Sequence, residues 1–209
     1  MSYLEMIIGS IILLLGLLLI VVMRKKIDLD GKVIVLMGAS GAGKTSVGQH
    51  LKKMGIPEVI SHTTREPRKG EIPNESYYFV NKRKFNKLDK IEEIEYTGNH
   101  YCISRKEIQH RLKTSKVSFV ICDVNGMEQI KGNYPHQTTV INIRIPLEEM
   151  ETRMRARGDD EEKIQTRLTH AIETGELNLE KHADYVVENV KLEDTVDSVL
   201  AIIKQITDR

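Results

Sequence analysis

The octapeptide Gly38-Ala39-Ser40-Gly41-Ala42-Gly43-Lys44-Thr45 constrains this chain more than any other stretch. Its G-x-x-x-x-G-K-[ST] spacing suits a loop that wraps backbone N–H groups around a nucleotide phosphate, and such a loop works only between a strand and a helix. Both flanks comply. Lys32 to Met37 is a short apolar run that reads as a buried strand, and Thr45 to Met54 reads as a helix closed by Gly55. The glycines permit positive-φ turns, the helix start offers unpaired N–H donors with partial positive charge, and Lys44 adds a full charge at the β and γ phosphates. Thr45 supplies a hydroxyl for Mg²⁺. With Ser46 continuing the first helical turn, this loop is the expected nucleotide triphosphate site.

Length and charge narrow what surrounds it. A chain of 209 residues has room for one membrane element and one domain of ordinary size. The net charge of +1, from 31 basic and 30 acidic residues, gives no electrostatic case for nucleic acid as the main partner. Cys102 and Cys122 lie far apart without metal-ligand spacing, which fits a reducing compartment and two packed thiols. The seven histidines form no zinc-binding pattern.

The N-terminus departs from this ordinary composition. Residues 6–23 are an unbroken uncharged run, apolar on every side of a helix. At 1.5 Å per residue it measures roughly 27 Å, near the ~30 Å hydrocarbon core, so a transmembrane helix is expected. A cleaved signal peptide would want basic residues before the run, yet Glu5 precedes it and Arg24-Lys25-Lys26 follows. The basic flank favours a single-pass protein with its C-terminal domain in the cytoplasm. The expected layout is an anchor and basic flank over 1–26, a linker over 27–31 and one domain over 32–209.

Within that domain, Glu58 to His62 reads as a second short strand, followed by a polar loop from Thr63 to Pro73. Tyr77 to Val80 and Ile91 to Tyr101, with turn residues Gly98-Asn99, suggest a small antiparallel insert. Ser104 and Glu107 make a capping-box pattern for a helix to about Leu112. Val117 to Cys122, ending in Asp123, and Thr138 to Ile145 read as strands; Leu147 to Arg157 and Glu161 to about Lys181 read as helices. Tyr185 to Glu188 is a last strand before an amphipathic helix from Val190 to Ile206. Alternating strands and helices imply a doubly wound α/β fold with a parallel sheet and its site at the strand carboxyl ends.

The segment Ser61-His62-Thr63-Thr64-Arg65-Glu66-Pro67-Arg68-Lys69-Gly70-Glu71, followed by Tyr77-Tyr78-Phe79-Val80, narrows the chemistry. Arg65 and Arg68 can direct forked donors at one dianionic phosphate, and a tyrosine hydroxyl can complete the cage. Beside a phosphate loop, a second anion site is what a kinase needs.

From these residues onward the chain resembles the guanylate kinase family, over nearly everything from Lys32 to the C-terminus. The motif Ser-x-Thr-Thr-Arg-x-Pro-Arg-x-Gly-Glu carries the resemblance, which implies ATP-dependent phosphorylation of GMP or dGMP, with Mg²⁺. It implies an acceptor-phosphate cage of Arg65, Arg68, Tyr77 and Tyr101, in an insert over about 61–104. Ser61, Glu92 and Asp123 are the implied guanine-reading groups. The carboxylates would accept from guanine N1–H and the exocyclic amine, donors adenine does not present in that arrangement. Glu95 competes with Glu92, and Asp123 can serve guanine or hold Mg²⁺ through water; both alternatives stay open. Arg153, Arg157 and Arg167 resemble the family's lid arginines, over about 153–167, and Asn189 stands where the family contacts adenine.

The resemblance departs at Cys102 and Ile103, where the family usually has Gly and then Thr or Ser, so a hydroxyl expected to help read guanine is missing. Asn125 replaces a frequent Gln. The reaction expected is in-line transfer without a covalent intermediate, since the acceptor oxygen is already anionic and needs no general base. A kinase of the same fold for another phosphorylated acceptor is the alternative that Ile103 motivates. A membrane-tethered binding module with little catalysis is the other, and it would have been suggested by loss of Lys44 or the arginine pair.

Overall fold

The computed structural model describes residues 29–156 and 158–208. Strand β1 (Lys32–Met37) is parallel to β6 (Val117–Ile121) on one side and to β7 (Thr138–Arg144) on the other, and β7 pairs in parallel with β8 (Tyr185–Glu188). The order is therefore β6-β1-β7-β8. Glu58 adds a parallel bridge at the β6 edge, where Val59 N–H donates to Phe119 O at 2.7 Å.

Helices cover both faces of this sheet, which is why β1 is apolar and buried from Val33 to Met37 instead of alternating. Ile34 and Leu36 pack with Val47 and Leu51 of α1 (Lys44–Lys53), Met150 of α5 (Leu147–Ala156), Ile164 of α6 (Glu161–Glu173) and Val199 of α7 (Leu192–Thr207). Val33, Val35 and Met37 face the other way, toward Ile108 and Leu112 of α3 (Arg105–Thr114) and Met127 and Ile130 of α4 (Val124–Asn133).

A second sheet has the order β3-β2-β5-β4, from β2 (His62–Thr63), β3 (Tyr78–Phe79), β4 (Lys90–Tyr96) and β5 (Asn99–Ser104), with the short helix α2 (Lys82–Phe85) before β4. It is mixed, not the antiparallel insert expected: β2 runs antiparallel to β5 but parallel to β3, because a long loop, not a hairpin, connects β2 to β3. The stretch expected as one strand over Glu58 to His62 is split between the two sheets.

Two helical expectations also change. The helix beginning at Glu161 stops at Glu173 instead of reaching Lys181, because Gly175 adopts φ +71°; a separate 3-10 turn follows at Leu179–His182. Ser104 caps α3 by accepting from Glu107 N–H at 3.3 Å, but the Glu107 side chain turns away and leaves the capping box half made.

The transmembrane helix expected over residues 6–23 lies outside the described residues. Among the described residues no helix is long and apolar enough to cross a membrane. The longest, α7, has 16 residues and one polar side, and at ~1.5 Å per residue it falls short of the ~30 Å core.

Candidate active site

The phosphate loop leaves the carboxyl end of β1 and enters α1. Ala42 N–H closes a turn on Ala39 O at 3.1 Å, and Gly38 and Gly43 take φ of +148° and +92°. Side chains are barred there for a second reason: a Cβ on Gly38 would fall on Ile143 O, and one on Gly43 on the Asn189 amide. Lys44 Nζ folds back to donate to Gly38 O at 2.7 Å and Ala39 O at 2.9 Å. Burial lowers its pKa, and the nearby Glu176 carboxylate works in the opposite direction. Glu176 also accepts from Ser40 N–H at 3.3 Å.

A cavity of about 340 Å³ opens above this loop, lined by Gly41, Gly43, Lys44, Thr45, Ser46, Arg153, Asn189 and Leu192. Arg153 donates to Asn189 O at 2.6 Å, Val190 O at 2.9 Å and Glu149 Oε1 at 2.8 Å. Asn189 is 1 % exposed, and its amide is already engaged: Nδ2 donates to Ala42 O at 2.7 Å while Oδ1 accepts from Thr195 Oγ1 at 3.0 Å. It therefore braces the loop, a role a lone asparagine after a strand does not reveal. Arg167 is not gathered into this cavity; it pairs with Asp159 at 3.0 Å and lines a separate groove with Asp160 and Lys163. Arg157 lies outside the described residues.

A second cavity, of about 200 Å³, brings together Ser61, Tyr77, Glu92, Tyr101 and Asp123, each from a different segment. Glu92 and Ile94, paired with Ile103 and Tyr101, lie on the strand face that lines it, whereas Glu95 is exposed and does not line it. Gly126 leaves the space Glu92 needs, since a Cβ there would sit 3.1 Å from its carboxyl carbon. Burial, aided by the Asp123 charge, pushes the Glu92 carboxyl up to about 7. Asp123 has a structural task as well: its Oδ1 accepts from Gly126 N–H at 2.8 Å and caps α4. Buried Ile103 and Cys102 make the wall apolar where the resemblance implied a hydroxyl.

At the rim, Arg65 Nε donates to Tyr101 OH at 3.2 Å, and its guanidinium lies 5.4 Å from the Tyr77 ring centroid. A bidentate pair with Glu71, at 3.0 and 2.8 Å, fixes its plane. That hydrogen bonding, joined by Arg68 N–H, holds Glu71 down to about 2 and raises the Arg65 pKa. Arg68 thus meets the rim through its backbone, and its side chain is exposed. Glu71 is a site-organising residue whose part the sequence signals only by standing in the same loop as Arg65.

Two cavities thus open at the carboxyl ends of the neighbouring strands β1 and β6, one above the phosphate loop and the other carboxylate-lined with an arginine rim. The guanylate kinase family profile matches residues 30–206. The chain belongs to the guanylate kinase family. A guanylate kinase of Trichormus variabilis is 33 % identical over 178 residues, covering 81 % of this chain and 88 % of the relative. One from Escherichia coli K12 is 34 % identical over 186 residues, covering 85 % and 87 %. The crystal structure of guanylate kinase from Anaplasma phagocytophilum superposes with a TM-score of 0.65 at 27 % identity, covering 86 % of this chain and 87 % of that one. These relatives correct the expected single-pass membrane location: the proteins the chain matches over 81–85 % of its length are guanylate kinases, and no described helix is long and apolar enough to cross a membrane.

Proposed function

We infer that this member of the guanylate kinase family transfers the γ-phosphoryl group of ATP to the phosphate of GMP, and that its two cavities divide the substrates between them. The observation that carries the reading is their placement: the phosphate loop follows β1, Asp123 follows β6, and Leu36 is in register with Ile121 on these adjacent parallel strands. A site at neighbouring strand carboxyl ends suits two substrates that must meet.

ATP is assigned to the loop cavity. Backbone N–H groups of the loop and the α1 N-terminus receive its phosphates, and Lys44 exchanges its two carbonyl partners for phosphate oxygens. Thr45 lines that cavity and offers a hydroxyl oxygen, a hard donor of the kind Mg²⁺ takes beside water and phosphate. Bound there, Mg²⁺ would neutralise phosphate charge. Arg153, held at the wall, is placed to stabilise charge that spreads in transfer.

GMP is assigned to the second cavity. Its phosphate is read by Arg65, Arg68, Tyr77 and Tyr101, and its base by Ser61, Glu92 and Asp123. The acceptor oxygen is anionic already, so the chemistry asks for neutralisation and alignment of two anions instead of proton removal. Glu92 receives the guanine donors only when ionised. The test is ADP release by the full chain given ATP, Mg²⁺ and a panel of acceptors: GMP, AMP, IMP and ribose 5-phosphate. GMP is expected to give the highest kcat/KM, and equal turnover of ribose 5-phosphate would reject the guanine-reading assignment.

A further inference from the structure

The acceptor site is held from behind by a residue that does not touch it. Glu107, the third residue of α3, is 5 % exposed, and its carboxylate serves three different segments. Oε1 accepts from Ile60 N–H at 3.3 Å and from Arg111 Nε at 2.7 Å, while Oε2 accepts from Tyr78 O–H at 3.0 Å. A carboxylate so buried is costly unless its lone pairs are satisfied, and here each oxygen has a donor. Helix capping does not explain it, because the Glu107 side chain leaves α3 to reach the insert.

Its partners are the chain neighbours of acceptor-site residues. Ile60 precedes Ser61, and Tyr78 follows Tyr77; Ser61 and Tyr77 line the acceptor cavity, whereas Glu107 and Tyr78 do not. Successive strand residues point to opposite faces, so fixing the Tyr78 hydroxyl on one face sets Tyr77 on the other. Tyr78 N–H also donates to Ser61 O at 2.9 Å, tying the two segments together. The His62 ring, its centroid 4.7 Å from that of Tyr78, completes the packing on the Glu107 side. Strands β2 and β3 have two residues each, too short a ladder to define their own position. A side-chain anchor therefore decides where they sit.

We propose that Glu107 is a positioning residue of the acceptor site, setting Ser61 and Tyr77 through its hydrogen bonds to Ile60 N–H and the Tyr78 hydroxyl. The inference rests on the reading that GMP occupies the cavity of Ser61, Tyr77 and Glu92.

Steady-state kinetics of the full chain test it. Tyr78→Phe keeps the ring and removes one hydroxyl; the GMP KM is expected to rise about three- to tenfold while the ATP KM stays within about twofold. Glu107→Ala should raise the GMP KM more than about tenfold, and Glu107→Gln, which retains an acceptor for Ile60 N–H, should recover most of it. A fall in melting temperature with both KM values unchanged, or an equal rise in both, overturns the proposal. If Glu107→Ala does not fold, Tyr78→Phe decides alone. Glu92→Gln separates the two layers of inference. If it raises the GMP KM while Tyr78→Phe does not, positioning by Glu107 is rejected; if it leaves the GMP KM unchanged, the acceptor assignment fails and this proposal with it.

Discussion

The two cavities are built by opposite means. The loop cavity is a backbone structure: eight consecutive residues, held by carbonyl contacts to Lys44 and Asn189, create its donors. The acceptor cavity is a side-chain structure, drawing Ser61, Tyr77, Glu92, Tyr101 and Asp123 from separate segments onto a sheet whose β2 and β3 are two residues long. A backbone site tolerates little change in conformation but is indifferent to most side chains around it. A side-chain site depends on second contacts, such as Glu71 beneath Arg65, to keep each group aimed.

If that division is real, substitutions on one side should leave the other substrate's KM alone. The largest effect is expected from Lys44→Ala, with kcat lowered at least about 10²-fold and the GMP KM unchanged. Retained turnover would remove the loop from the chemistry. Arg65→Ala comes next: loss of charge-assisted bonds to phosphate should cut kcat/KM for GMP about ten- to hundredfold, with the ATP KM unaffected. An equal loss for both substrates would erase the division. Asn189→Ala should do the reverse, raising the ATP KM about tenfold and costing about 1–3 kcal/mol of stability in denaturant unfolding, since Ala42 O loses its donor.

The smallest effect is a pH dependence confined to the acceptor side. Glu92, with its carboxyl near 7, is neutral below that pH and cannot accept both guanine donors, so the GMP KM should fall as pH rises through about 7. The ATP KM should stay flat, and Glu92→Gln should abolish the slope. Stability runs the other way. The folded protein holds this proton to higher pH than the unfolded chain, so stability falls as pH rises from the ordinary carboxylate range toward about 7. Glu92→Gln should accordingly melt higher than the parent above about pH 7 and lose that advantage in acid. A GMP KM independent of pH in the parent would place Glu92 outside the base site.

The contrast also explains which parts of the molecule were legible in advance. The order of strands and helices follows from apolar runs and their breakers, and β1 declared itself by having no polar face to expose. Glu92 stands at the offset from Gly98-Asn99-His100-Tyr101 that the family resemblance implies, and strand alternation from Glu92 to Tyr96 sets it on the face opposite Glu95; the space its carboxyl occupies is left by the missing side chain at Gly126. Asn189 lines the loop cavity, as its position after the last strand implies, and its side-chain amide also braces the loop at Ala42 O, which the sequence does not signal. The Ser104 and Glu107 spacing reads as a capping box, yet the Glu107 carboxylate joins α3 to β3. Arg167, expected beside the loop cavity, pairs with Asp159 and lines a separate groove.

Sequence by itself determined the phosphate loop, because its function resides in backbone N–H groups whose geometry is fixed by glycine spacing and by a strand and helix on either side. It also determined the family, through residues that recur at fixed offsets. Tertiary structure alone decided how the acceptor side is held: the gap at Gly126 that Glu92 fills, the Glu71 clamp on Arg65, and the buried carboxylate of Glu107 behind Ser61 and Tyr77. The physical reason is range. A local backbone conformation is written in neighbouring residues, whereas the direction of a side chain is set by whatever the fold packs against it.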